Sequence, residues 1–377
     1  MSLSTIQQLA DYGQSVWLDY ISRPLLETGQ LKDLIQNGLR GMTSNPSIFN
    51  QAIGSSNDYD QKIIELKTAG KSTFEIYDEL TIKDIQDAAD MFKDVYQNTS
   101  GLDGYVSLEI NPLLASQVDE QIREGQRLYK KVNRSNVMIK VPSTEAGFKV
   151  IEALTADGIN VNVTLIFSLD QYIKTTQAYC SGLRRYYDKH GDLSKVRSVA
   201  SVFVSRIDSK IDTILDQRRQ KEPEEGKRFI IQSLLGKAAV SNCRVIYEKY
   251  KDIFNGDEFA ELKQKGANEQ RVLWGSTSTK NPQYPDIKYV AELIARPTIN
   301  TIPEKTLRAF LDHGEVKDAF DTRPKEAEKV IKDLKNFGID VNDICRQLLD
   351  EGCQSFDEAF KQLLASVEKK AQALVAN

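Results

Sequence analysis

Eight short apolar or β-branched runs punctuate the chain, and their recurrence constrains the fold more than any other feature. They are Ser15–Asp19, Gly41–Thr43, Tyr105–Glu109, Val137–Lys140, Val161–Leu165, Ser198–Val204, Arg271–Trp274 and Thr298–Thr301. Each is too short for a helix, and several are apolar throughout, the pattern of parallel strands buried on both faces. Helical patterns lie between them, among them Phe74–Thr99, Leu114–Val132, Thr144–Ala156, Ser168–His190 and Phe229–Phe254. Strand–helix alternation repeated eight times predicts an α/β chain folded as a (β/α)8 TIM barrel. A doubly wound open sheet is the structural rival, but no GxGxxG follows the first run, which argues against a dinucleotide-binding version.

Two connections are longer than one helix needs. The stretch 46–104 has room for two or three helices, and 207–270 contains the charge-dense segment QRRQKEPEEGKR, whose alternating signs read as a solvated helix end or loop. After the eighth run the pattern is wholly helical from Pro303 to Asn377. The expectation is one barrel domain over 1–377, with its core at about 14–315 and a helical C-terminal extension over 316–377 packed on the barrel. The tail could equally pack on a second copy, so a homodimer stays open.

Charge and composition remove several function classes. The 50 Lys+Arg against 54 Asp+Glu leave a net charge of −4, unlike the basic surface a nucleic-acid binder needs. No stretch approaches 18 consecutive apolar residues, so no membrane span is expected. The opening MSLSTIQQLADYG lacks the basic start and apolar centre of a secretory signal. Cys180, Cys243, Cys345 and Cys353 are scattered, without a CxxC pair, as reduced cytoplasmic thiols would be. With two histidines in all, a His-rich metal site is nearly excluded.

In a barrel of this kind the active site gathers at the carboxyl ends of the strands. The runs end in Asp19, in Thr43-Ser44-Asn45-Pro46, in Glu109 and in Lys140. The fifth carries Asn162 and Thr164, two apart and so on one side of a strand. The sixth carries Ser201 and Phe203, with Arg206 just beyond. The seventh opens into Ser276-Thr277-Ser278-Thr279-Lys280, and Arg296 precedes the eighth. Lys140 is the unusual member, because VMIKVP sets a lysine where a strand is still buried. Burial disfavours an ammonium, and a neutral amine can attack a ketone to form a Schiff base. The iminium then stabilises a carbanion made by breaking a neighbouring carbon–carbon bond. That chemistry needs a carboxylate to move the hydroxyl proton, for which Asp19 and Glu109 are candidates. Asn45 and Asn162 could hold sugar hydroxyls, and Arg206 with Lys280 or Arg296 could clamp a phosphate. Singly, each residue has a blander reading: a solvent-reaching lysine, a turn asparagine, a core phenylalanine, a surface arginine. Their fall at successive strand ends is what gives the set weight.

These segments resemble the transaldolase family in its longer bacterial form. WLDYISR, GMTSNPSIF, VSLEINP, VMIKVPST, NVNVTLIFS, SVFVSRID and LWGSTSTKNP occur in the family's order. The resemblance implies a (β/α)8 barrel and transfer of a dihydroxyacetone unit between sugar phosphates, with neither metal nor organic cofactor. It implies that Lys140 forms the Schiff base and that Asp19 is the acid/base at the cleaved bond. It gives Glu109 the handling of a catalytic water that Thr164 positions. Thr43, Asn45 and Asn162 fall to substrate binding, Ser201 and Arg206 to the phosphate, and the second phosphate ligand stays open between Arg296 and Lys280. Related fructose-6-phosphate aldolases resemble this pattern with a tyrosine where Phe203 stands; its hydroxyl favours release of the carbanion by protonation. A class I aldolase that releases dihydroxyacetone is therefore the nearest alternative. A non-catalytic scaffold for a protein partner, which would form no imine, is the alternative from another class.

Overall fold

The computed structural model describes residues 3–320 and 324–375. Its centre is a closed barrel of eight parallel strands in sequential order. The strands are β1 (Gln14–Asp19), β2 (Gly41–Thr43), β3 (Tyr105–Glu109), β4 (Val137–Pro142), β5 (Val161–Ile166), β6 (Ser198–Phe203), β7 (Arg271–Gly275) and β8 (Thr298–Ile302). They match the eight runs to within two residues at either end, and β8 closes on β1 with Val16 opposite Asn300. The open-sheet alternative is thereby excluded.

Side chains alternate between the barrel interior and the surrounding helices, so every second residue builds an interior layer. Trp17, Tyr105, Met138, Val199, Leu273 and Ile299 form a buried apolar cluster of their own across the middle. Two residues earlier, Ser15 and Arg271 meet Asp103 at the amino-terminal end. Arg271 pairs with Asp103 at 2.7 Å, and Ser15 donates to the other carboxylate oxygen at 2.7 Å. Two residues later come Asp19, Lys140, Ser201, Gly275 and Thr301. The interior therefore passes from an ion-paired floor through an apolar plug to a polar rim, and the plug confines chemistry to the carboxyl end.

Gly41 is what lets Trp17 lie across the plug. The two residues are register partners on β2 and β1, and a Cβ at position 41 would stand 2.6–2.7 Å from three indole atoms. Overfilling so tight a contact costs about 1–3 kcal/mol. Gly41→Ala is expected to lower the thermal unfolding midpoint by several degrees, and an unchanged midpoint would show that the indole shifts freely.

The two long connections hold more helices than one each. The first contains Pro46–Ser55, Asp60–Thr68, Thr73–Met91 and Lys93–Asn98, so the expected single helix at Phe74–Thr99 is interrupted at Phe92. The second contains Ser205–Lys221, Glu225–Leu234, Ala238–Phe254 and Asp257–Gln264. Here the expected Phe229–Phe254 helix breaks because Gly236 turns the chain at φ +67°. After β8 come Glu304–His313, Pro324–Asn336 and the 35-residue helix Val341–Val375. This last helix packs against Pro46–Ser55, Asp60–Thr68, Thr73–Met91 and Ser205–Lys221, crossing the rim at the carboxyl end. Lys370 fastens it by an ion pair to Asp60 at 2.7 Å and a hydrogen bond to the Ile53 carbonyl. Among the described residues no helix is long and apolar enough to cross a membrane.

Candidate active site

Lys140 is held by its backbone inside the barrel, since its neighbours Ile139 and Val141 face the helices and are fully buried. Its side chain is 6 % exposed and its Nζ meets two oxygens, Glu109 Oε2 and the Ser44 carbonyl, each at 3.0 Å. The first contact follows from register, because Glu109 and Lys140 are partners on β3 and β4. The second comes from the turn after β2, which folds over the rim as Asn45 caps the next helix through a 3.0 Å hydrogen bond from the Ile48 amide.

Asp19 ends β1 beside this pair. Thr43 donates its hydroxyl to Asp19 Oδ1 at 2.7 Å and lies 2.6 Å from Thr301 Oγ1. A hydroxyl has one proton, so Thr301 is the donor in that second contact, and the chain of donors runs from Thr301 through Thr43 to Asp19. Burial pushes the Asp19 carboxyl above the ordinary aspartate range, opposed by the Lys140 charge and the Thr43 hydrogen bond. Burial also raises Glu109, opposed by Lys140. Two carboxyl groups whose proton affinity burial raises therefore lie beside one amine, the kind of setting acid/base groups occupy.

Asn162 is the register partner of Lys140 on β5. It donates to Ser107 Oγ at 3.0 Å and accepts from Ser201 Oγ at 2.6 Å, so its amide is fixed within the strand layer. Thr164 is fully buried with its hydroxyl unpartnered and facing the cavity. Just after it β5 bulges, with Leu165 at φ +59°, a device that re-aims side chains at barrel rims. Leu165 lies against Gly352 of the C-terminal helix, where a Cβ would come within 3.0 Å of the leucine.

A cavity of about 220 Å³ opens over these groups. Of the expected residues it collects Asp19, Thr43, Asn45, Lys140, Thr164, Ser201, Phe203, Arg206 and Lys280. Glu109, against the Lys140 amine, and the fully buried Asn162 do not line it. Phe203 packs edge-on to Phe167, with ring centroids 5.6 Å apart, and the Arg206 guanidinium lies 5.6 Å from the Phe203 ring centre. Burial lowers the Arg206 pKa, against the pull of Glu351, and among the described residues Arg206 forms no ion pair. Lys280 is exposed and donates to Ser278 at 2.7 Å.

Arg296 is the one expected site residue that the fold sends elsewhere. It precedes β8, so it lies at the amino-terminal end, and its guanidinium stands 5.5 Å from the ring centre of Tyr12, which ends the helix before β1. Five strand residues, about 15 Å, separate it from the rim. It cannot reach a ligand at Lys140. The cavity is completed instead by groups that no motif announced. Ser355 and Phe356 of the C-terminal helix form its outer wall, and the Phe356 ring centre is 6.0 Å from Lys140 Nζ.

A buried lysine beside two carboxyl groups, at the carboxyl rim of a closed parallel barrel and in one cavity with Arg206 and Lys280, is an arrangement suited to the imine chemistry of the lysine-dependent aldolase class. Comparison with known proteins makes this specific. The family described as Transaldolase/Fructose-6-phosphate aldolase matches residues 16–367. The chain is 42% identical over 377 residues to a transaldolase of Trichodesmium erythraeum (strain IMS101), covering 99% of each protein. It is 45% identical over 364 residues to a transaldolase of Arthrobacter sp. (strain FB24), covering 96% of each, and 42% identical to transaldolase 2 of Nostoc sp. (strain PCC 7120 / SAG 25.82 / UTEX 2576), covering 99% of each. The chain belongs to the transaldolase/fructose-6-phosphate aldolase family, and it is an enzyme with transaldolase activity.

Proposed function

We propose that Lys140 carries a dihydroxyacetone unit, as a covalent imine, from a ketose phosphate to an aldose phosphate. The donor is sedoheptulose 7-phosphate or fructose 6-phosphate, the acceptor glyceraldehyde 3-phosphate or erythrose 4-phosphate, and the setting the non-oxidative pentose phosphate pathway. The observation that carries this reading is the Lys140 amine held 3.0 Å from Glu109, inside a cavity that also admits Asp19.

Lys140, its ammonium proton passed to Glu109 across their 3.0 Å contact, attacks the donor's carbonyl carbon. The carbonyl oxygen leaves as water from the resulting carbinolamine, taking a proton from Glu109, and Thr164 holds that water with its unpartnered hydroxyl. Asp19 then removes the proton from the hydroxyl at the bond to be broken. The carbon–carbon bond opens, its electron pair passes into the iminium, and the aldose phosphate departs. The second aldehyde is attacked by the retained carbanion, Asp19 returns the proton to the new hydroxyl, and hydrolysis through Glu109 frees the product ketose. Asn45, Thr43 and Asn162 orient the sugar chain. Arg206, with Ser201 and Lys280, meets the terminal phosphate, which suits a guanidinium's paired donors. Phe203 offers no proton near the carbanion, which favours transfer over release, and Phe356 shields the opposite side from water.

One apolar core running from Ile6 to Ala371 supports reading the chain as a single domain. Four unpaired cysteines among the described residues support a reducing, cytoplasmic setting. Borohydride reduction in the presence of fructose 6-phosphate is expected to attach the three substrate carbons to the peptide containing Lys140; a label on any other lysine overturns the assignment. With fructose 6-phosphate and no acceptor, free dihydroxyacetone should appear far more slowly than exchange proceeds when acceptor is present. Equal rates would favour the release-type aldolase.

A further inference from the structure

The helix Ser205–Lys221 carries Arg206 at its start, and the loop after β7 carries Lys280. The two cations that the phosphate reading needs thus sit on separate elements, and the exposed Lys280 is on an excursion of nine residues, Ser276–Tyr284. Both ends of that excursion are fastened to the same helix. At the near end, the Ser205 amide donates to the Ser276 carbonyl at 3.1 Å, and the two serine hydroxyls also lie 3.1 Å apart.

At the far end stands Asp212, buried on the same helix. One of its carboxylate oxygens accepts from the Gly236 amide at 2.9 Å and the other from the Tyr284 hydroxyl at 2.8 Å. The Tyr284 ring lies on Gly236, where a Cβ would come within 2.8 Å of it, so no residue with a side chain leaves the ring this seat. One turn earlier Asp208 repeats the arrangement, accepting from the Ala239 amide at 2.7 Å and from the Tyr289 hydroxyl at 2.9 Å. Between its ends the loop is closed on itself by the Thr279 hydroxyl, which donates to the Pro285 carbonyl at 2.8 Å.

A buried carboxylate that shares its oxygens between a backbone amide and a loop tyrosine fixes that loop at a defined distance from its own helix. Of these groups Ser276 alone lines the cavity, and none belongs to the residues that handle the imine. We infer that Asp212 and Tyr284 are positioning residues for the phosphate end of the substrate, holding Lys280 opposite Arg206 so that both cations meet one phosphate. This rests on the reading of Arg206 and Lys280 as phosphate ligands.

The test compares Tyr284→Phe, which removes one hydroxyl, and Asp212→Asn with Lys280→Met, using fructose 6-phosphate, unphosphorylated fructose and inorganic phosphate as an inhibitor. Loss of a hydrogen bond to a charged group predicts, for Tyr284→Phe, a rise of about tenfold in both the KM for fructose 6-phosphate and the Ki for inorganic phosphate. Its kcat, and its kcat/KM for fructose, should stay within about twofold of the parent, and adding it to Lys280→Met should change nothing further. If Lys280→Met leaves KM unchanged, the phosphate reading fails and the inference falls with it. If Lys280→Met raises KM but Tyr284→Phe and Asp212→Asn do not, the tether alone is overturned. A parallel fall in fructose turnover would also overturn it, because that marks general loosening of the barrel.

Discussion

Lys140→Met is expected to abolish transfer, lowering kcat by at least about 10⁴-fold, in the range seen when an enzyme loses its nucleophile. Methionine is close to lysine in length and is readily accommodated in a core, so the substitution deletes the amine while filling its space. It also leaves Glu109 buried without its partner, which a carboxyl group meets by staying protonated. Burial raises Glu109 already, and loss of the Lys140 charge that opposes it raises it further, so the variant should fold. Far-ultraviolet circular dichroism matching the parent, with no borohydride-trapped adduct and no exchange, is the expected result. Residual exchange at a tenth of the parent rate would mean that another amine serves, and the mechanism proposed for Lys140 would fail.

Much of this arrangement was legible in the sequence because barrel strands are buried on both faces. Val161–Leu165 and Ser198–Val204 stand out as apolar runs for that reason, and their alternation then says which residues look inward. Lys140, Asn162 and Ser201 are conspicuous for the same cause: polar groups interrupt runs that burial otherwise keeps apolar. Arg296 was misplaced because proximity to a strand was read without direction. A residue before a parallel strand stands at the barrel's amino end, and that rule alone would have separated Arg296 from Lys280. Ser355 and Phe356 were beyond reach of any such rule. They sit on a helix more than 200 residues from Lys140, and its crossing of the rim depends on packing against Pro46–Ser55 and Ser205–Lys221. The clefted seat of Tyr284 on Gly236 was equally hidden, since a glycine in a turn does not disclose which ring it admits. Long-range packing, not local propensity, decides all three.

Asp19→Asn is expected to reduce turnover by about 10²–10⁴-fold, the usual contribution of a positioned acid/base, while leaving imine formation intact. Asparagine keeps the shape and can still accept from Thr43, but it cannot take the hydroxyl proton that cleavage releases. Borohydride should therefore still trap intact fructose 6-phosphate on Lys140, whereas the parent yields the three-carbon adduct. The pH profile carries the same distinction. Cleavage needs Asp19 ionised, and burial raises its pKa, so the parent's rate falls with decreasing pH at a point above the ordinary aspartate range. Lys280, whose charge opposes that rise, lies across the cavity; a phosphate bound beside it cancels part of the opposition and moves the acid limb of kcat higher still than that of kcat/KM. In the asparagine variant this limb disappears, and any acid limb that remains belongs to Glu109, raised by the same burial. An asparagine variant that turns over within about tenfold of the parent and keeps the parent's acid limb would exclude Asp19 as the base. Among the described residues Glu109 would then be the carboxyl group against Lys140 left to cleave the bond.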